Sequence, residues 1–239
     1  MFKKILLTSL LISTTIMADK NDIVKSLSPI FQGISIEDIS KTDFKGVYEV
    51  INKNPIEAFY VSENGRYLIQ GDVIDLLSRS RMRGSDKVSA FKKSLLAGIK
   101  EKDKIIFKAD NEKHVVHVFT DVDCPFCRKL HFEMDNMNAL GITVKYLAAP
   151  LASLHPAAQG KMEKIWCAED RVQAMNDYKK TKKLPNVTAC DNPVAEQLAI
   201  SEQLGVNGTP AIFLENGRHI PGYMPAKKLL AEIQSTLGK

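Results

Sequence analysis

No internal stretch of this 239-residue chain is apolar for long enough to span a bilayer, which takes about 20 residues, so stable membrane insertion is not expected. No basic block is interleaved with aromatics, so no nucleic-acid partner is expected. Histidine is scarce: there are five, and none has partners at metal-ligand spacing. Neither a metal nor another cofactor is implied. Cysteine is sparse too, but its count of four is even and suits two pairs. Charge of one sign does not dominate: the formal +5, less Lys3 and Lys4 of an N-terminal leader, leaves +3.

That leader covers residues 1–18 and reads as a secretory signal peptide. Lys3 and Lys4 make a basic start, residues 5–12 a short apolar core, and Thr14, Thr15 and Ala18 supply small residues before a cut. The apolar run is too short to act as a membrane anchor. Export implies an oxidising compartment in which disulfides persist.

The densest chemistry lies in Phe119-Thr120-Asp121-Val122-Asp123-Cys124-Pro125-Phe126-Cys127-Arg128-Lys129-Leu130. Residues 115–119 are β-branched and aromatic and read as a buried strand. Leu130, Met134 and Met137 then recur at helical spacing. A Cys-x-x-Cys pair at a strand-to-helix junction reads as a redox dithiol in a thioredoxin-like fold. The physical reason is that only a thiolate attacks a disulfide. The free N–H groups of a helix's first turn carry about half an elementary charge. A thiol at Cys124 is therefore expected to ionise more readily than usual, as the exposed nucleophile. Pro125 suits the first turn, where its missing N–H costs nothing. Cys127 falls one turn in and is expected to be the buried resolving thiol, with Pro125 and Phe126 tuning the redox preference. Arg128 and Lys129 add positive charge nearby; Asp121 and Asp123 oppose it. His131, a turn beyond Cys127, reads as solvated, with tuning of the dithiol as the alternative.

Three other readings compete for the pair. A zinc site needs a second close pair or two histidines, whereas Cys167 and Cys190 are single and 23 positions apart. A c-type haem site needs His directly after the second Cys, and position 128 is Arg. A purely structural disulfide is disfavoured by the strand and helix that bracket the pair.

The rest of the chain divides in three. Over residues 19–78, a helix is expected at 22–31 and strands at 34–39, 47–51, 58–61 and 67–70. Turns fall at 52–55 and at Glu63-Asn64-Gly65-Arg66, where Asn-Gly accepts the positive φ of a tight hairpin. No catalytic cluster appears there. Its core is small and its strand edges unpaired, which a second copy of the chain would cure; a monomeric accessory domain is the alternative. Residues 79–103 read as a linker whose helix, at 87–100 and capped by Ser85-Asp86, presents Val88, Phe91, Leu95 and Ile99 on one stripe.

Residues 104–239 hold the dithiol. Strands at 105–108, 114–120 and 142–147 frame a β–α–β unit, with His114 and His117 read as edge or half-exposed. Helices follow at 157–168, 171–179 and 193–204. Cys167 and Cys190 are expected to form a structural disulfide worth about 3 kcal/mol by loop closure; a second reactive pair is the alternative. A strand at 211–214 begins after Pro210, and the Thr209–Pro210 bond is a candidate for cis. The turn Glu215-Asn216-Gly217-Arg218 and a helix at 225–237 close the chain.

Taken together, the residues resemble the periplasmic thiol:disulfide isomerases of Gram-negative bacteria, the DsbC/DsbG group, with a lean towards the DsbC branch. The resemblance rests on Val118 to Asp121 leading into Cys124-Pro125-Phe126-Cys127, on Asn138-Ala139-Leu140-Gly141-Ile142-Thr143-Val144 and on Ile165-Trp166-Cys167-Ala168. Gly208-Thr209-Pro210-Ala211 and Pro221-Gly222-Tyr223 complete it. It implies an α/β fold with a thioredoxin-like catalytic domain carrying a helical insertion. A small α+β (cystatin-like) dimerisation domain and a linker helix would precede it. It implies a periplasmic homodimer, a cis Pro210 beside the dithiol, and Thr209 contacting substrate through its backbone. It further implies misfolded secreted proteins with wrong disulfides as substrates, chaperone-like binding of unfolded chains, and a membrane thiol reductase of the DsbD type as electron donor. A dithiol oxidase and a redox-independent holdase chaperone are the rival readings.

Overall fold

The computed structural model describes residues 20–71, 73–77, 80–81 and 85–238. The leader at residues 1–18 and the side chains of Ser85 and Asp86 lie outside the described residues.

Helix α1 (Lys20–Leu27) buries Ile23 and Leu27, four apart on one face. Strands β1 (Ile39–Lys41), β2 (Val47–Lys53), β3 (Ile56–Ser62) and β4 (Leu68–Ile69) form an antiparallel sheet in that order. Ile23, Leu27, Ile39, Tyr48, Val50, Phe59 and Val61 make the core between helix and sheet. The strand expected at 34–39 is mostly absent. The Asp38 carboxylate accepts from the backbone N–H and the hydroxyl of Ser35, at 3.0 and 2.9 Å, and turns Ile36–Asp38 into a single 3-10 turn. Local side-chain bonding of this kind competes with sheet pairing. A further two-stranded ribbon, β5 (Ile74–Asp75) with β6 (Ser80–Arg81), was not foreseen.

Helix α2 (Ser85–Gly98) follows. Its inward stripe is rotated from the expected one: Leu96, with Ile99 just beyond its end, is buried, Val88 and Leu95 are half-buried, and Phe91 is exposed.

The remaining strands are β7 (Ile105–Phe107), β8 (His114–Thr120), β9 (Ile142–Ala148), β10 (Ala211–Phe213) and β11 (His219–Pro221). They form one sheet in the order β11-β10-β8-β9-β7. The central pair β8 and β9 is parallel, from His114 opposite Ile142 to Thr120 opposite Ala148; the other pairs are antiparallel. Period-two alternation divides the faces. Val116, Val118, Val144, Tyr146 and Ala148 point into the main core. Phe119 and Leu147 point the other way, into a second core with Leu96, Ile99, Phe213 and Ile56 of β3.

The main core is closed by helices α3 (Pro125–His131), α4 (Met134–Ala139), α5 (Ala158–Trp166), α6 (Arg171–Thr181), α7 (Val194–Gln203) and α8 (Ala226–Leu237). Cys167, just after α5, is disulfide-bonded to Cys190, just before α7, so the bond closes a loop containing α6. Both ends of that loop are thereby tied to helices of the main core. Among the described residues, no helix is long and apolar enough to cross a membrane.

Candidate active site

Strand β8 delivers the site. Its last residue, Thr120, is buried, and the chain then turns through Asp121, Val122 and Asp123 before α3 begins. Cys124 is the N-cap residue of α3, with extended backbone at φ −66° and ψ 125°, and Pro125 is the first helical residue. Both thiols are free. Cys127 is fully buried one turn in. Cys124, expected to be exposed, retains only 6% of its surface. What covers it is the loop before β10. The Cys124 thiol donates to the Thr209 carbonyl at 3.2 Å, and the Thr209–Pro210 peptide bond is cis. Residues 85 positions apart thus meet at the mouth of the helix.

The two sulfurs are strongly unlike. The Cys127 thiol, hydrogen-bonding to Cys124, pulls the Cys124 thiol down to about 5 against the opposing effect of partial burial. Backbone N–H groups of Cys127 and Phe126 add to this, as expected of a helix's first turn. The Thr209 side chain, whose buried hydroxyl has no hydrogen-bond partner, lowers the Cys124 thiol further. Cys127 moves the opposite way: burial, then its bond to Cys124, push its thiol well above the ordinary value. Its sulfur accepts the Asp121 backbone N–H at 3.4 Å.

The acidic residues before Cys124 are each engaged elsewhere. Asp121 is fully buried and accepts from the backbone N–H of Asp123 and Leu151, each at 2.8 Å, with His155 Nδ1 at 3.0 Å. Asp123 lies 2.7 Å from Lys161 Nζ, 2.6 Å from the Tyr178 hydroxyl and 3.5 Å from Lys182 Nζ. Burial works against its charge, but Lys161 and Tyr178 hold its carboxyl below the usual range. Arg128 turns away from the thiols: its Nε donates to the Lys179 carbonyl at 2.8 Å and caps the end of α6. Phe126, next to Cys124, stands more than half exposed, as do Phe132 at the far end of α3 and Leu154 in the loop that supplies Leu151 to Asp121.

His131 is a correction. It is buried rather than solvated, edge-on to Phe107 and within 3.4 Å of the Tyr146 hydroxyl. Burial, together with the charge of Lys179, pushes it down to about 4, so it is neutral at ordinary pH. His114, read as edge or half-exposed, is buried as well. Among the described residues no group of histidines, cysteines and carboxylates is arranged to hold a metal.

A dithiol at a helix N-terminus beside a cis-proline loop can exchange bonds with other disulfides. Residues 101–236 match the family described as a thioredoxin-like domain, and residues 14–84 match the disulfide bond isomerase protein N-terminal domain. The chain is 37% identical over 231 residues to the thiol:disulfide interchange protein DsbC of Escherichia coli K12, covering 96% of this chain and 94% of that protein. The chain belongs to the DsbC family. The DsbC of Salmonella typhimurium is 38% identical over 90% of this chain and 86% of its own length. A solved disulfide interchange protein from Neisseria gonorrhoeae superposes with a TM-score of 0.53 at 39% identity, over 57% of this chain and 97% of that one.

As a DsbC-family protein the chain is a thiol:disulfide oxidoreductase with isomerase character. One residue at the site escaped the sequence reading. Lys179 of α6 is fully buried, and its ammonium donates to the carbonyls of Asp121 at 2.8 Å and Val122 at 3.3 Å. A signal for it existed: Lys179 falls four residues after Met175, on the apolar face of its helix. The polar run Lys179-Lys180 at a helix end hid it.

Proposed function

We propose that this DsbC-family chain isomerises, and when isomerisation stalls reduces, wrong disulfides in secreted proteins, with Cys124 as nucleophile and Cys127 as resolving thiol. The Cys124 thiolate attacks one sulfur of a substrate disulfide, forming a mixed disulfide and releasing the other sulfur as a thiolate. That thiolate attacks another disulfide of the substrate and displaces a new substrate thiolate, which attacks the mixed disulfide at the substrate sulfur and expels the Cys124 thiolate, completing an isomerisation. In the reductive branch, Cys127 attacks the Cys124 sulfur, the mixed disulfide breaks, and the substrate leaves as a dithiol. The Cys124–Cys127 disulfide must then be reduced, for which the donor is a membrane thiol reductase of the DsbD type.

The observation that carries this reading is the opposed pair of thiols: an easily ionised Cys124 at the helix mouth above a buried, protonated Cys127. Thr209 and the cis Pro210 form the wall against which an extended substrate segment lies, through backbone contacts. Pro125 and Phe126 tune the redox preference, and exposed Phe126, Phe132 and Leu154 offer apolar contact to unfolded chains. Residues 19–78 pair two copies into a homodimer, residues 79–103 link that domain to the catalytic one, and the signal at residues 1–18 directs the chain to the periplasm. Reactivation of scrambled ribonuclease tests the whole. The mature chain restores activity and Cys124→Ala does not; full reactivation by Cys124→Ala contradicts the reading.

A further inference from the structure

Lys179 is a buried cation with no carboxylate paired to it among the described residues. An ammonium has three N–H donors, and Lys179 spends two of them on the neutral carbonyls of Asp121 and Val122. Among the described residues no carboxylate lies within ion-pair distance of it. The Asp121 carboxyl is turned to Leu151 and His155, and that of Asp123 to Lys161, Tyr178 and Lys182. A charge buried in this way is costly unless a partner compensates it. The partner lies across one residue: Asp121 gives its carbonyl to Lys179 and its N–H to the Cys127 sulfur.

We propose that the Lys179 ammonium is the counter-charge for the Cys127 thiolate, and so sets how long this chain holds a substrate in mixed disulfide. The proposal deepens the isomerase reading above and rests on it. In the mixed disulfide Cys124 carries no charge, so its thiolate no longer balances the lysine. Cys127 then loses its proton to solvent, and the positive potential of Lys179 holds the resulting thiolate. That thiolate attacks the Cys124 sulfur. The bond from Cys124 to the substrate sulfur breaks, its electron pair leaves with the substrate sulfur, and that sulfur takes a proton. Cys124 and Cys127 are oxidised by two electrons and the substrate is reduced by two. Lys179 keeps its proton throughout and acts as a positioning residue.

Arg128, whose guanidinium donates to the Lys179 carbonyl at 2.8 Å, is a fixed positive charge beside both groups. Burial lowers the lysine to about 8, while Cys127, Asp121 and Cys124 raise it and Lys182 lowers it. The lysine in turn draws the Cys127 thiol down against burial and the neighbouring Cys124. Tyr146 also feels Cys127, and His131 feels Lys179; burial keeps both uncharged.

The test is Lys179→Met in the full mature chain, which keeps the length of the side chain and removes its charge. Stopped-flow reaction of the reduced protein with oxidised glutathione separates attack by Cys124 from resolution by Cys127. Loss of one close opposite charge moves a thiol by about one pH unit, so resolution at neutral pH slows about tenfold and its pH midpoint rises by about one unit. Attack by Cys124 changes by less than about threefold, because the α3 N-terminus and Cys127 remain. Unchanged resolution, or equal slowing of both steps, overturns the proposal.

A measurement on the unaltered protein keeps the test open should the variant fold poorly. The Lys179 ammonium, followed by nitrogen NMR, titrates at higher pH in the dithiol form than in the Cys124–Cys127 disulfide form, where no thiolate can arise. The same midpoint in both forms overturns the proposal. Ribonuclease reactivation by the unaltered chain reports on the isomerase reading independently. Its failure with the Lys179 effect intact removes that reading alone, and its success with unchanged resolution in Lys179→Met removes this one alone.

Discussion

At the scale of single residues, the account turns on how differently the fold treats two thiols three positions apart. Cys124 is held at about 5, whereas a thiol in an unfolded chain titrates at about 8.5. A depressed acid stabilises the fold by an amount that grows as pH rises from the folded to the unfolded value, and that is lost as pH falls through the folded one. Cys127 is raised, so it works in the opposite sense, but only above the unfolded value. Denaturant unfolding of the reduced chain therefore shows an excess of stability over Cys124→Ala that increases between about pH 5 and about pH 8.5. A pH-independent difference contradicts the assigned ionisation. The dithiol, its place at a strand-to-helix junction and Pro125 were legible in the sequence because local spacing determines them. The burial of His131 and Lys179 was not. Each depends on residues from distant elements, Phe107 and Tyr146 for one and the turn at Asp121 and Val122 for the other.

At the scale of elements, periodicity located most strands and helices, and it failed where side chains bonded locally or where a helix's partner was remote. The Ser35–Asp38 turn replaced a strand, and the inward stripe of α2 followed the second core rather than the pattern of Phe91. The hairpin at Asn216-Gly217 was readable, but not that it abuts α2. Gly217 has φ +86°, and a Cβ there would overlap the Ser89 carbonyl oxygen. Gly217→Ala accordingly lowers stability by about 2 kcal/mol or more, from left-handed strain plus the overlap, measured by denaturant unfolding; a neutral result contradicts this packing of α2 against the β10–β11 turn. The Cys167–Cys190 bond closes a loop of sequence separation 23 around α6. Its loss in a Cys167→Ser, Cys190→Ser double variant costs about 3 kcal/mol. That appears as a Tm lower by about 10 °C in calorimetry. An unchanged Tm contradicts a stabilising role for the bond.

At the scale of the whole molecule, the N-terminal sheet leaves apolar groups uncovered. Leu68 and Ile69 on edge strand β4, Ile74 on β5, and Leu76 and Leu77 beyond it are exposed, Leu77 at 97%. An unpaired edge beside apolar side chains is a surface for another chain. Sedimentation of the mature protein gives the mass of a dimer, and replacing Leu76 and Leu77 by Ser shifts it towards the monomer. Monomers throughout contradict the pairing role of residues 19–78. The sequence pointed to that pairing through small size and open edges, although the β5–β6 ribbon that carries part of the apolar surface was not readable from two-residue strands.

All three scales meet at the Cys124 sulfur, and its ionisation is open to direct measurement. The ultraviolet thiolate absorbance of the reduced, full mature chain is followed against pH, with Cys124→Ala as the reference. The account predicts a single thiolate appearing with a midpoint near 5, absent from the variant, while Cys127 stays protonated well beyond it. A midpoint near that of a free thiol, about 8.5, would contradict it.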